Sequence, residues 1–145
     1  MRRALSIQFS KQTNPVEIPQ DKLIDVEVTI KNTGTATFSA WSIEGEILFA
    51  RDELSEPTGN IASDRITWET ESRCYYGIYF LKTSLNPGDT TSVSLSELGA
   101  PLPEASRWNV GDVFDVAAII GYKERYDSPI VWVDELKIDD AIKIT

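Results

Sequence analysis

The stretch Leu23-Ile24-Asp25-Val26-Glu27-Val28-Thr29-Ile30-Lys31-Asn32-Thr33-Gly34 decides the fold class of this chain. In an extended backbone Ile24, Val26, Val28 and Ile30 fall on one face, and Asp25, Glu27, Thr29 and Lys31 fall on the other. A period of two built from β-branched residues belongs to a strand buried on one side and wet on the other. Asn32-Thr33-Gly34-Thr35 then supplies turn residues. The expectation is an antiparallel sheet with one solvated face, half of a β-sandwich.

Strand and turn signals continue on both sides of this stretch. Leu5, Ile7 and Phe9 alternate with Ser6, Gln8 and Ser10; Asn14-Pro15 interrupts, and Val16-Glu17-Ile18 resumes before Pro19. A first strand broken by proline suits a sheet edge. Phe38 to Phe49 is extended, with Trp41 off phase and a change of phase near Gly45 that predicts a bulge. Arg51 to Asn60 reads as an exposed loop, Ile66 with Trp68 as a short strand, and Tyr75 to Leu81 as an apolar run. Asn86-Pro87-Gly88-Asp89 is a turn with glycine where positive φ is needed.

Thr90 to Leu98 alternates, with Val93 and Leu95 inward and Ser92, Ser94 and Ser96 outward. Pro103 to Ser106 is the one helical turn expected, and the apolar segment Val113 to Ile120 reads as a central strand. Tyr126-Asp127-Ser128-Pro129 breaks the chain before a second alternating strand, Ile130 to Ile138. Asp139-Asp140 is a turn or bulge leading to a last short strand, Ala141 to Ile144. Strands at this spacing, without helical periodicity, predict a single all-β sandwich domain over residues 1–145, of about 7–9 strands, with at most one short helical turn near 103–107.

Composition narrows the partners. The chain has 145 residues and a net charge of −9, from 14 Lys and Arg against 23 Asp and Glu. That balance opposes a nucleic-acid backbone or an anionic membrane surface. The acids are spread along strands and loops, which fits solubility. Cys74 is the only cysteine, so no intrachain disulfide forms, and beside Tyr75 and Tyr76 it reads as a small buried hydrophobe. After Met1-Arg2-Arg3 only Ala4-Leu5-Ser6-Ile7 is apolar, too short for a signal peptide, and no run nears the roughly 20 residues of a membrane span. The expected location is the cytoplasm or a virion for a complete frame, and the cell surface for a fragment.

The strand Ile24–Gly34, followed by Leu85-Asn86-Pro87-Gly88-Asp89, resembles the immunoglobulin-like modules of prokaryotic surface proteins, of the CARDB type and related in shape to fibronectin type III. Their pattern is an alternating strand ending in Asn-Thr-Gly, then a strand introduced by Leu-x-Pro-Gly-(Asp/Glu). Gly111-Asp112 before an apolar strand adds a third element. The resemblance spans roughly residues 22–135 and implies an immunoglobulin-like antiparallel β-sandwich. This chain is longer than such modules through Arg51–Arg73 and Leu98–Val110, and it continues past Ile138 into a further apolar stretch.

The chain has no histidine, so a Ser-His-Asp triad, a Cys-His dyad and a His-ligated metal site are all excluded. The carboxylate pairs Glu69 with Glu71 and Asp134 with Glu135 read as solvated faces rather than a glycosidase pair. No cofactor is expected. Calcium is the metal that acidic loops would suit, with Asp127, Asp139, Asp140 and Asp52-Glu53 as candidate ligands, none in the order of a defined calcium loop. Trp41, Trp68, Trp108 and Trp132 cannot all be central; Trp132, in phase with Ile130 and Leu136, is expected in the core, and Trp108 at one end of it.

The resulting expectation is a non-enzymatic structural or protein-interaction module of a surface, appendage or virion assembly. It would meet a protein partner or a second copy through sheet edges and loops, with the first strand and Ala141–Thr145 as the edges. The alternative is a carbohydrate-binding module with Trp68, Tyr75 and Tyr76 as its stacking platform.

Overall fold

The computed structural model describes residues 3–11, 15–50, 74–98 and 102–145. Among them are eight strands and a single 3-10 turn, Ala105–Arg107. Strands β1 (Leu5–Phe9), β3 (Glu27–Asn32) and β6 (Thr90–Ser94) form a three-stranded sheet in the order β1-β3-β6. Strands β2 (Val16–Ile18), β4 (Ile43–Ala50), β5 (Cys74–Phe80), β7 (Val113–Tyr122) and β8 (Val131–Ile144) form a five-stranded sheet in the order β2-β8-β7-β4-β5. The larger sheet curls into a half-barrel. Leu5, Ile7, Val28, Ile30 and Val93 of the small sheet share one apolar core with Ile47, Phe49, Val116, Ala118 and Ile120 of the large one.

The alternation read from Ile24 to Ile30 holds: Ile24, Val28 and Ile30 are fully buried and Val26 nearly so. The ladder itself, however, begins only at Glu27. The Asp25 carboxylate takes the Val26 N–H at 2.8 Å and the Ser96 N–H at 3.2 Å. The Ile24 N–H goes to the Pro103 carbonyl, and Leu23 bridges Glu104. The first residues of the expected strand thus pair with the segment before the 3-10 turn.

The proline-broken first strand is divided between sheets. β1 lies at an edge of the small sheet and β2 at an edge of the large one. β2 runs parallel to the end of β8, with Val16 opposite Ile142 and Ile18 opposite Ile144, which departs from the all-antiparallel expectation.

Ala141–Thr145 is not an edge. It continues β8, which lies between β2 and β7, and Ala141, Ile142 and Ile144 are buried. Asp139-Asp140 is a bulge within that strand: Asp140 has φ 51, and its N–H donates to Asp115 Oδ1 at 2.8 Å.

Three further expectations shift. Trp132 is buried, but it stands opposite Gly121 and fills the space a Cβ there would need. A register shift between Ile120 and Gly121 turns it away from the face expected from Ile130 and Leu136. Gly45 is no bulge; β4 passes through it unbroken, and its missing Cβ leaves room for the Tyr79 hydroxyl, which donates to the Ile119 carbonyl at 3.1 Å. Ser94 is buried rather than outward, with its Oγ 2.9 Å from Ser96 Oγ and accepting the Glu97 N–H.

The two stretches that carry the family resemblance meet in space. Asn32 is buried, and its side-chain amide donates to the carbonyls of Leu85 and Ala36, both at 2.9 Å. Its backbone carbonyl accepts from Gly88 and its N–H donates to Asp89. Gly88 at φ 84 makes the turn that brings these groups together. Among the described residues no helix is long and apolar enough to cross a membrane.

Candidate functional site

Among the described residues, the most exposed aromatic side chains gather at the end of the molecule where β4 begins and β7 ends. Before β4, Ser42 donates from its N–H and its Oγ to the Ser39 carbonyl, closing a tight turn. That turn is held on both flanks. The Trp41 N–H donates to the Leu81 carbonyl at 2.8 Å, just beyond β5, and the Lys123 N–H donates to the Ser42 carbonyl at 2.9 Å, just beyond β7. These bonds bring Trp41, Phe80 and the loop Lys123–Tyr126 around one cleft of about 590 Å³.

Trp41 has φ 68. A bulky L-residue in the left-handed region costs about 1–2 kcal/mol, so the turn holds a strained residue whose ring is nevertheless 60% exposed. Phe80 is 49% and Tyr126 99% exposed on the same cleft. Such a cluster of exposed rings is unlike the isolated apolar residues of an ordinary surface.

Charge is arranged around the rings. Arg3 forms an ion pair with Glu124 at 3.2 Å and lies over the rings of Phe38 and Tyr122, 5.7 and 5.9 Å from their centroids. Phe38 and Tyr122 meet edge to face at 5.2 Å, so a packed aromatic base supports the guanidinium. Lys123 and Arg125 line the cleft and make no side-chain hydrogen bond or ion pair among the described residues. Glu44, buried in β4, lines it as well.

A second groove, of about 390 Å³, lies where the chain crosses from β1 to β2. Val116 and Ile142 reach it from the core, and Lys11, Lys22, Glu17 and Asp25 line it with charges of both signs. Among the described residues that line it, Leu23 is the one exposed large apolar side chain.

The residues singled out from the sequence are placed differently. Trp68 lies outside the described residues. Tyr75 and Tyr76 sit in β5 opposite Phe49 and Leu48, but the reading of their side chains, like that of Cys74, falls outside what is described. Of the candidate calcium ligands Asp52-Glu53 lies outside the described residues, and Asp127 is not brought to Asp139 and Asp140. Asp127 is exposed in the loop after β7, whereas Asp139 and Asp140 lie at the bulge opposite Asp115. Asp139 is 3.7 Å from Lys137 Nζ. Among the described residues no group of three or more acidic or cysteine side chains is placed to hold a metal ion. Trp108 packs edge to face on Phe114 at 5.0 Å and covers one end of the core, as expected.

No family model matches the chain, and no curated protein does. Among solved structures it is similar to AvmM, described as catalysing macrocyclization in alchivemycin A biosynthesis. The TM-score is 0.50 at 10% identity, over 98% of this chain and 90% of that one. A beta-glucosidase from Listeria innocua aligns with TM-score 0.38 and 14% identity over 97% of this chain but 16% of its own. One from Kluyveromyces marxianus gives 0.34 and 16%, over 94% and 14%. The AvmM likeness concerns the fold alone, and the glucosidase likenesses are too low to bear on either fold or function.

Proposed function

We propose that this chain is a non-enzymatic binding module of immunoglobulin-like build, and that its working surface is the cleft of Trp41, Phe80 and Tyr126. The build is supported by the split first strand, by the parallel pairing of β2 with β8, and by the contact of the Asn32 and Pro87-Gly88 turns. These features suit a module of the CARDB or fibronectin type III kind. The macrocyclization named for AvmM is not carried over, because one fold hosts many chemistries.

The observation that carries the reading is Trp41, an exposed indole held at positive φ on one cleft with two further exposed rings. Strain of this kind concentrates where a side chain has to be presented. Contact through loops is better supported than contact through edges, since Ala141–Thr145 is interior and β1 is tied to β8. A carbohydrate platform is the second reading, favoured by three rings on one cleft, whose faces suit stacking on sugar rings.

Titration followed by tryptophan emission tests the site, with Trp41→Ala subtracted to isolate the indole at position 41. A saturable Trp41-dependent change with small aromatic or glycan ligands is expected. Absence of any such change across both ligand classes would retire the cleft as the working surface. A response confined to neutral oligosaccharides would select the second reading.

A further inference from the structure

Resting on that reading, we infer that the cleft takes a small ligand with a planar apolar body and an anionic head, a carboxylate being the simplest. The rings of Trp41, Phe80 and Tyr126 hold the body, and Lys123 with Arg125 meets the head.

Three observations lead there. The chain carries a net charge of −9, yet three cations, Arg3, Lys123 and Arg125, converge on this one cleft. Arg3 is already neutralised by Glu124 at 3.2 Å and braced over Phe38 and Tyr122. Lys123 and Arg125 have no such partner among the described residues, although acidic side chains outnumber basic ones by 23 to 14. Cations with no ion-pair partner among the described residues, set beside exposed rings, offer complementarity to an anion from outside.

The volume selects the size of the occupant. About 590 Å³ falls within the range of small-molecule sites, about 300–1,000 Å³. Exposed rings beside cations suit a planar body, because faces stack while the charge is met at the rim. Glu44 on the same cleft disfavours a ligand with more than one negative charge reaching past the rings.

The test compares naphthoate with its neutral counterpart naphthyl methanol by isothermal titration. The proteins are the full chain, a Lys123→Gln/Arg125→Gln variant and Trp41→Ala, with near-ultraviolet circular dichroism confirming that each is folded. Naphthoate is expected to bind about tenfold tighter than the alcohol, a difference of about 1.4 kcal/mol. That advantage should shrink as salt is raised and vanish in the double variant, with the alcohol unaffected. Equal affinities, both lost in Trp41→Ala, would overturn the anionic head while leaving the cleft as the binding surface. Binding of oligosaccharides but of neither probe would likewise overturn the ligand class and keep the surface. A preference for naphthoate that survives in Trp41→Ala would overturn the placement in this cleft.

Discussion

Asp134 Oδ2 accepts the Ile7 N–H at 3.0 Å. Ile7 lies in β1, whose only ladder partner among the described residues is β3, and its N–H points away from that ladder. A carboxylate from β8 in the other sheet therefore closes the open side of β1, while Asp134 Oδ1 takes the Glu135 N–H at 3.0 Å. One side chain joins the two sheets and blunts an edge that would otherwise invite strand addition.

Asp134→Ala should lower stability by about 1.5–3 kcal/mol, the range for a hydrogen bond to a charged group. Asp134→Asn, which keeps an acceptor, should lose less. Denaturant titration reads both, and amide exchange at Ile7 should accelerate in the alanine variant more than elsewhere in β1. Unchanged exchange at Ile7 would mean that the carboxylate does not protect that edge.

Gly45→Ala should destabilise by about 2 kcal/mol or more, because the new Cβ meets the Ile119 carbonyl and the Tyr79 ring. Tyr79→Phe removes only the hydroxyl bond to Ile119 and should cost about 1 kcal/mol. Since the obstacle includes backbone, adding Tyr79→Phe should not rescue Gly45→Ala. Melting of the three variants decides.

Burial, and secondarily the charge of Glu46, holds the Tyr79 hydroxyl far above the usual tyrosine range. The folded value lies above the unfolded one, so its stabilising effect is complete below about pH 10, where both states are protonated. Above that the unfolded chain loses the proton first and stability falls, by up to about 1.4 kcal/mol per pH unit for this group. Tyr79→Phe should flatten that alkaline slope. Tyrosinate absorbance should show that Tyr79 ionises only as the protein unfolds, a step absent from Tyr79→Phe.

Trp41→Gly removes a bulky side chain from φ 68, a backbone conformation that glycine adopts without steric strain. Relief of strain offsets the lost packing of a ring that is 60% exposed, so stability should stay within about 1 kcal/mol of the parent. A loss of several kcal/mol would show that the indole is structural rather than displayed.

Deletion of residues 141–145 should unfold the protein rather than merely alter its association. It removes the buried Ala141, Ile142 and Ile144 and leaves β2 without a neighbour. Loss of two buried isoleucines alone costs about 4–10 kcal/mol, comparable with the whole stability of a domain. Far-ultraviolet circular dichroism of the truncated chain provides the check.

The alternation of Ile24, Val26, Val28 and Ile30 made the buried face of β3 legible, because burial on one side leaves a period of two in the residues themselves. The Asn86–Asp89 turn was legible for a similar reason: positive φ at Gly88 selects its residue type. Register shifts left no such mark. The shift beside Gly121 reverses the face of Trp132, and a strand pattern read without its partner cannot place it. The cleft had one visible signal, Trp41 standing off phase between Phe38 and Ile43. Its convergence with Phe80 and Tyr126 depends on hydrogen bonds to Leu81 and from Lys123, which join residues about 40 and 80 positions away. Phe80, at the end of an apolar run, gave no local sign of being on the surface.

The parallel pairing of β2 with the end of β8 has a mechanical consequence. Tension entering the chain ahead of Val16 and leaving at Thr145 pulls these two strands along their length in opposite directions. Their hydrogen bonds are then loaded together, in shear, instead of being peeled one at a time. The Gln20 N–H bond to the Thr145 carbonyl and the Thr145 N–H bond to the Ile18 carbonyl extend the same seam by two contacts. A domain closed in this way resists stretching along that line at the point where the force is applied.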